Sequence, residues 1–217
     1  EIQEAEVQAR LSEAERLKQR GNVKYNTEDY SSAIKLYSRA IRLVPANPTY
    51  LLNRAAAFIM MERFEDAIAD STSATTTNPM LVKGYLRAGR SMLALGLCSS
   101  AREQFQKCVW TRPGRDVMNP KTLERIHAEA HNGLRQVISL ETHLRECDSL
   151  LRQAQNVHGI GGDSSKEGGR KKKSRRPTDV DKRASQILAS EALKHAESAA
   201  ALATGSIKPV KLRISGM

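Results

Sequence analysis

The chain has 217 residues, with 35 Lys and Arg against 24 Asp and Glu, a net charge of +11, 40% apolar residues and one Trp, five Tyr and three Phe. Interior residues drawn mainly from Ala, Leu, Ile and Met, with few of the aromatic and β-branched side chains that fill strands, exclude a sandwich or barrel and predict an all-α fold. The uncharged, leucine-rich stretch Ser91 to Ala101 is interrupted by serines and a glycine and falls well short of the roughly 20 apolar residues that span a bilayer.

The opening Glu1-Ile2-Gln3-Glu4-Ala5-Glu6 is acidic and favours helix. It lacks the charged-then-apolar pattern of a signal peptide, and without an initiator Met it reads as part of a fragment or processed form. Cys98, Cys108 and Cys147 are three in number and widely spaced, which suits a reducing compartment and no disulfide framework. A cytoplasmic location is expected, with a nuclear one also open.

From Ala14 the sequence repeats. Pro45, Pro79 and Pro113 stand 34 residues apart, as do Ala33, Ala67 and Ala101, dividing the chain into units 14–47, 48–81 and 82–115. In the first unit Leu17, Gly21, Ala33, Tyr37 and Ala40 occupy fixed places; Leu51, Ala55, Ala67, Ser71 and Ala74 take them in the second, and Tyr85, Gly89, Ala101, Phe105 and Cys108 in the third. Small residues at the second of these places let two helices approach closely. Asn47-Pro48 and Asn119-Pro120 read as an N-cap followed by proline at the first helical position, whereas Thr75-Thr76-Thr77 is a poor helix ending.

After Pro120, the residues Leu123, Ile126, Ala130, Gly133, Val137, Leu140, Leu144, Cys147, Leu151 and Ala154 recur every three or four, so region 116–157 is predicted to be one long helix. Its first half is expected to cover the open face of the third unit. The second half is left for another protein partner: self-association through a coiled coil, or packing on a further repeat, which is favoured because Gly133 and the alanines weaken a zipper.

Region 158–177 turns to Gly, Ser and then Lys166 to Arg176, where seven bases including Arg170, Lys171, Lys172, Lys173, Arg175 and Arg176 meet one acid. Such charge with little apolar content is expected to be disordered. A nuclear-import signal, a phosphate-binding arm for nucleic acid or an acidic membrane, and a solvated linker all remain open, though no aromatic residue interleaves the run for base stacking. Region 178–217 begins as an alanine-rich helix anchored by Ile187, Leu188, Leu193 and Leu202, and Lys208 to Ser215 alternates like an edge strand. Both are expected to need a partner.

The small, aromatic, small and proline positions of residues 14 to 115 resemble the tetratricopeptide repeat (TPR). The resemblance implies three helix-turn-helix repeats in a right-handed superhelix. No single helix pair buries its apolar face alone, so neighbours stack and an end cap is required. It also implies that the first helix of each repeat lines a concave groove. Lys18 and Asn22, then Asn53, then Lys83 and Arg87 fall on those helices, with spacing by four keeping each pair on one face.

These five match the positions of the carboxylate-clamp TPR domains of chaperone adaptors, which grip the C-terminal Glu-Glu-Val-Asp tail of the heat shock protein 70 and 90 chaperones. A chain-terminal Asp presents two carboxylates, and charge-assisted bonds from lysine and arginine replace the water they lose, while asparagines donate without adding repulsion. Lys18, Asn22 and Asn53 are assigned to the terminal carboxylate, and Lys83 with Arg87 to the Asp side chain and nearby carbonyls. Ala56 and Ile59 are expected to form an apolar pocket for the tail's Val, Arg90 to meet the upstream glutamates, and Glu15 to be the resting partner of Lys18. Within this family, residues 53–70 and 83–96 look most like the first TPR module of the DnaJ-type co-chaperone. No His here is followed by Pro-Asp, so a J-domain's ATPase stimulation does not reside in these residues.

Other candidates fall away. His127 and His131 lie four apart on a helix, but the acid stands two after the first His and no third ligand is evident. Gly159 to Ser165 lacks the Lys-Ser/Thr ending of a phosphate loop. Cys108 stands where a packing alanine belongs. No metal, cofactor or catalytic set is expected. The reading is a non-catalytic adaptor; its rivals are a nucleic-acid or ribonucleoprotein scaffold tethered by the basic tail, whose groove binds another protein segment, and an oligomeric scaffold using the heptad seam.

Overall fold

The computed structural model describes residues 2–45, 47–113, 118–157 and 179–205. Among the described residues there are eight helices and no strand: α1 (Ile2–Asn26), α2 (Tyr30–Leu43), α3 (Pro48–Met60), α4 (Phe64–Thr77), α5 (Val82–Ala94), α6 (Cys98–Trp110), α7 (Pro120–Val157) and α8 (Asp179–Gly205). They fall into two compact units, one running up to Val137 and the other from Ile138 to Leu202.

In the first unit each helix packs on the next from α1 to α6, and α1 touches α3 while α3 touches α5. The first helices of successive repeats therefore share a face, and the second helices back them. Pro45 and Pro79 follow the C-caps Val44 and Asn78, where a residue that cannot continue a helix ends it cleanly. Asn47 accepts a hydrogen bond from the Thr49 N–H at 2.9 Å, and Asn119 one from the Lys121 N–H at 2.9 Å, so both expected N-caps form. The three threonines let α4 run to Thr77, their hydroxyls donating back to the Thr72 and Ser73 carbonyls.

The turn inside each repeat carries the same 34-residue period in its backbone. Glu28, Glu62 and Gly96 have φ of 64°, 58° and 72°. Around them the Asp29, Arg63 and Leu97 N–H groups reach back to the Lys24, Phe58 and Met92 carbonyls at 3.0, 2.9 and 2.9 Å. This is the Schellman ending, whose left-handed residue usually is glycine; only the third repeat supplies one.

Core packing explains the paired small and aromatic positions. A Cβ on Gly21 would lie 2.5 Å from the Tyr37 ring, and one on Gly89 2.8 Å from Phe105. In the second repeat the corresponding places hold Ala55 and Ser71, both fully buried, an alanine in place of the glycine and a serine in place of the aromatic. Phe105 is also roofed from the other side by Gly133 of α7, where a Cβ would fall 2.5 Å from the ring. Ile126, Ala130 and Val137 are buried along the same stretch; the first half of α7 is the expected cap.

In the second unit the rest of α7 is paired with α8 through His195 and Glu146. That differs from the expectation of a further repeat or a coiled coil, and Leu144 and Leu151 remain largely exposed. Two of the anchors foreseen on α8 are also corrected: Ile187 and Leu193 face outward, Leu188 is half-buried, and Ala192 and Ala199 are the residues buried. An alanine-rich helix can lie close to its neighbour through its small side chains. The basic run Arg170, Lys171, Lys172, Lys173, Arg175 and Arg176 and the alternating segment 208–215 lie outside the described residues. No helix of the described residues is long and apolar enough to cross a membrane.

Candidate functional site

Helices α1, α3 and α5 bring the polar residues of the expected clamp together in part by direct contact. The Asn53 side-chain amide donates to Asn22 Oδ1 at 3.1 Å, and the Tyr37 hydroxyl donates to the same oxygen at 2.8 Å. One accepting oxygen thus fixes both amides, and the Asn22 NH2 is left pointing away from them with its donors available. Tyr37 had been read only as a packing aromatic. Its ring fills the gap over Gly21, and its hydroxyl reaches past to orient an asparagine, a role for which residue type and spacing gave no signal.

Lys18 lies one turn before Asn22 on α1. Its stem is buried, the residue being 8% exposed, and its ammonium rests on Glu15 at 2.5 Å. The resting partner is the one expected, and it sits half exposed, where an incoming carboxylate can replace it. Asn53 is equally enclosed at 8%.

Arg87 is the most unusual group in the molecule. It is 6% exposed, yet among the described residues no hydrogen bond or ion pair holds its guanidinium. Burial, and then the neighbouring Arg90, lower its pKa from the ordinary arginine value, opposed by Tyr25, Tyr37 and Glu129. A guanidinium stays charged through such a shift.

Lys83, four residues earlier, is exposed as a residue. Protein crowding around its ammonium, and then Arg87 and Arg125, nevertheless hold its pKa below the ordinary lysine value. Burial raises the pKa of the nearby Tyr25 phenol, with Arg87 pulling it back. This end of α5 is therefore a cluster of cations in which, among the described residues, no ion pair holds Lys83 or Arg87; the nearby acid Glu129 is paired with Arg90.

The secondary positions separate. Ala56 is 2% exposed and packs with Tyr25, Ala33, Tyr37 and Ala57, so it supports the groove wall and leaves almost no surface for a ligand's side chain. Ile59 is partly buried against Ala55, Phe58 and Ala67. Arg90 pairs with Glu129 of α7 at 3.6 Å, tying the third repeat to the cap. A second polar link joins the backs of two repeats: Arg54 makes a two-pronged bond to Asp70, both at 2.7 Å, and donates to Ser38 at 2.9 Å.

Of the histidines set aside, His127 has a pKa lowered first by burial. A different trio meets in the second unit: His143, Glu146 and His195 place three ligand atoms within 4.8 Å of one another. Sequence reading missed it because His195 stands 52 residues from His143, and only the pairing of α7 with α8 brings them together.

A family model for the TPR repeat matches residues 21–61. The human DnaJ homolog subfamily C member 7 is 37% identical over 97 residues, covering 45% of this chain, which spans 20% of that protein's length. Among solved structures, the Arabidopsis OM64 TPR domain matches 58% of this chain and 97% of its own at 31% identity and a TM-score of 0.50. The first TPR of Spaghetti (RPAP3), bound to the HSP90 peptide SRMEEVD, matches 58% and 91% at 28% identity and a TM-score of 0.51. Repeat period, helix pairing and these likenesses agree, and the chain belongs to the tetratricopeptide-repeat family.

Proposed function

We propose that this chain is a co-chaperone adaptor that binds the C-terminal Glu-Glu-Val-Asp tail of a heat shock protein 70 or 90 chaperone, through Lys18, Asn22, Asn53, Lys83 and Arg87. The observation that carries the reading is Arg87, a buried guanidinium that no hydrogen bond or ion pair holds among the described residues. Burying an unpaired charge is costly, and a site that keeps one on a helix shared by successive repeats is completed by an anion from outside. Asn22 and Asn53 supply neutral donors beside it, and Lys18 exchanges Glu15 for the ligand's carboxylate. The likenesses to a DnaJ homolog and to a TPR domain solved with an HSP90 peptide support the same assignment and a function of binding rather than catalysis.

Calorimetric titration of the full chain with a peptide ending in Glu-Glu-Val-Asp tests it. Binding near micromolar is expected, with Lys18→Ala costing about 1.5–3 kcal/mol, the range for hydrogen bonds to charged groups. Deleting residues 166–176 is expected to leave this affinity unchanged. Loss of binding on that deletion, with Lys18→Ala silent, would overturn the clamp in favour of the basic tail.

A further inference from the structure

We propose that His143, Glu146 and His195 form a zinc site that clips α8 onto the second half of α7. His143 and Glu146 lie three apart on α7, one turn of helix, and His195 comes from α8. The two imidazoles face each other through their Nδ1 atoms at 3.5 Å. Glu146 Oε2 stands 3.0 Å from His195 Nδ1 and 3.7 Å from His143 Nδ1.

Those three separations bracket what a tetrahedral ion requires. With zinc-to-nitrogen and zinc-to-oxygen bonds of about 2.0–2.2 Å, ligand atoms on one tetrahedral face lie about 3.3–3.5 Å apart. The trio therefore already outlines a face, and an ion placed off that triangle reaches all three atoms with small side-chain adjustments. Two imidazoles and one carboxylate suit zinc among the common divalent ions, whereas magnesium and calcium prefer all-oxygen shells. The side chains are 29%, 49% and 35% exposed, so the fourth position is open to water.

The arrangement also has a structural use. The described apolar burial on α8 is by Ala192 and Ala199, while Ile187 and Leu193 face solvent. So little apolar area holds two helices weakly, and an ion bound only when they are paired adds its binding free energy to their association. The ion is a structural clip, placed on a unit distinct from the peptide groove.

Zinc and cobalt(II) salts alone, titrated into the full chain, test the site. The expected result is one equivalent bound, a cobalt(II) visible spectrum of tetrahedral intensity, and increased helical content or protection of α8 on zinc addition. His195→Gln and His143→Gln should each weaken binding at least about tenfold, since even losing a hydrogen-bonding partner of a ligand costs about 10- to 100-fold. Cys147→Ser, His127→Gln and His131→Gln should leave it unchanged, and peptide affinity in every variant reports that the repeats remain folded. Binding that survives both His143→Gln and His195→Gln, that depends on Cys147, or that is absent at submillimolar zinc overturns the proposal.

Discussion

Replacing Arg87 by Met separates a ligand-binding cation from a structural one. Methionine fills a similar volume without charge, so buried volume is largely kept while the guanidinium is removed. If Arg87 supplies a charge-assisted bond to a bound carboxylate, its loss costs about 1.5–3 kcal/mol, which is roughly a 10- to 150-fold rise in Kd. In the free protein the sign reverses. Arg87 is 6% exposed and has no internal partner among the described residues, so its removal relieves desolvation. Replacing buried charge with apolar volume is neutral or stabilising by about 1–4 kcal/mol. Peptide calorimetry gives the first quantity and urea unfolding, without peptide, the second. An unchanged Kd, or a free protein weakened by about 3 kcal/mol as when a buried pair is broken, would refute the reasoning.

Other outcomes follow from the same packing. Asp70→Ala strands the Arg54 guanidinium and is expected to cost about 3 kcal/mol in urea unfolding, with Arg54→Met on top restoring much of it; additivity of the two changes would argue against the pair. Glu62→Gly relieves a left-handed residue at φ 58° and is expected to stabilise by about 0.5–1 kcal/mol, the left-handed penalty less glycine's extra chain entropy. A loss of that size would count against strain there. Burial, and then Glu129, push the Cys108 thiol up to about 12, so a thiol reagent at pH 8 should modify Cys98 and Cys147 while sparing Cys108. The same raised value means its contribution is complete below the unfolded cysteine pKa of about 8.5 and falls by about 1.4 kcal/mol per pH unit above it, until the native thiol ionises near 12. A Cys108→Ala variant should flatten that alkaline decline, and an equal decline in both proteins would contradict it.

The helical repeat was legible because proline and small residues mark it from within the chain: Pro45, Pro79 and Pro113 end helices wherever they fall, and Gly21 and Gly89 admit an aromatic ring. The positive-φ turn was not, since Glu28 and Glu62 occupy places where only Gly96 announces the conformation. The resemblance to carboxylate-clamp repeats picked out Lys18, Asn22, Asn53, Lys83 and Arg87, but a sequence carries no burial, so neither the unpaired state of Arg87 nor the sealed position of Ala56 could be read from it. Tyr37's hydroxyl and the contacts of His195 depend on which helices meet. The α7 seam was correctly apolar, yet its occupant over the second half was hidden because α8 buries Ala192 and Ala199 and exposes Ile187 and Leu193.

The most direct measurement compares two peptides that differ only at their last atom group: one ends in Glu-Glu-Val-Asp as a free acid, the other carries the same residues with a terminal amide. Titrated into the full chain at equal salt, the free acid should bind near micromolar and the amide should show no measurable affinity, because Lys18, Asn22 and Asn53 then face a neutral group. Equal affinity for the two would contradict a clamp built around the end of another polypeptide.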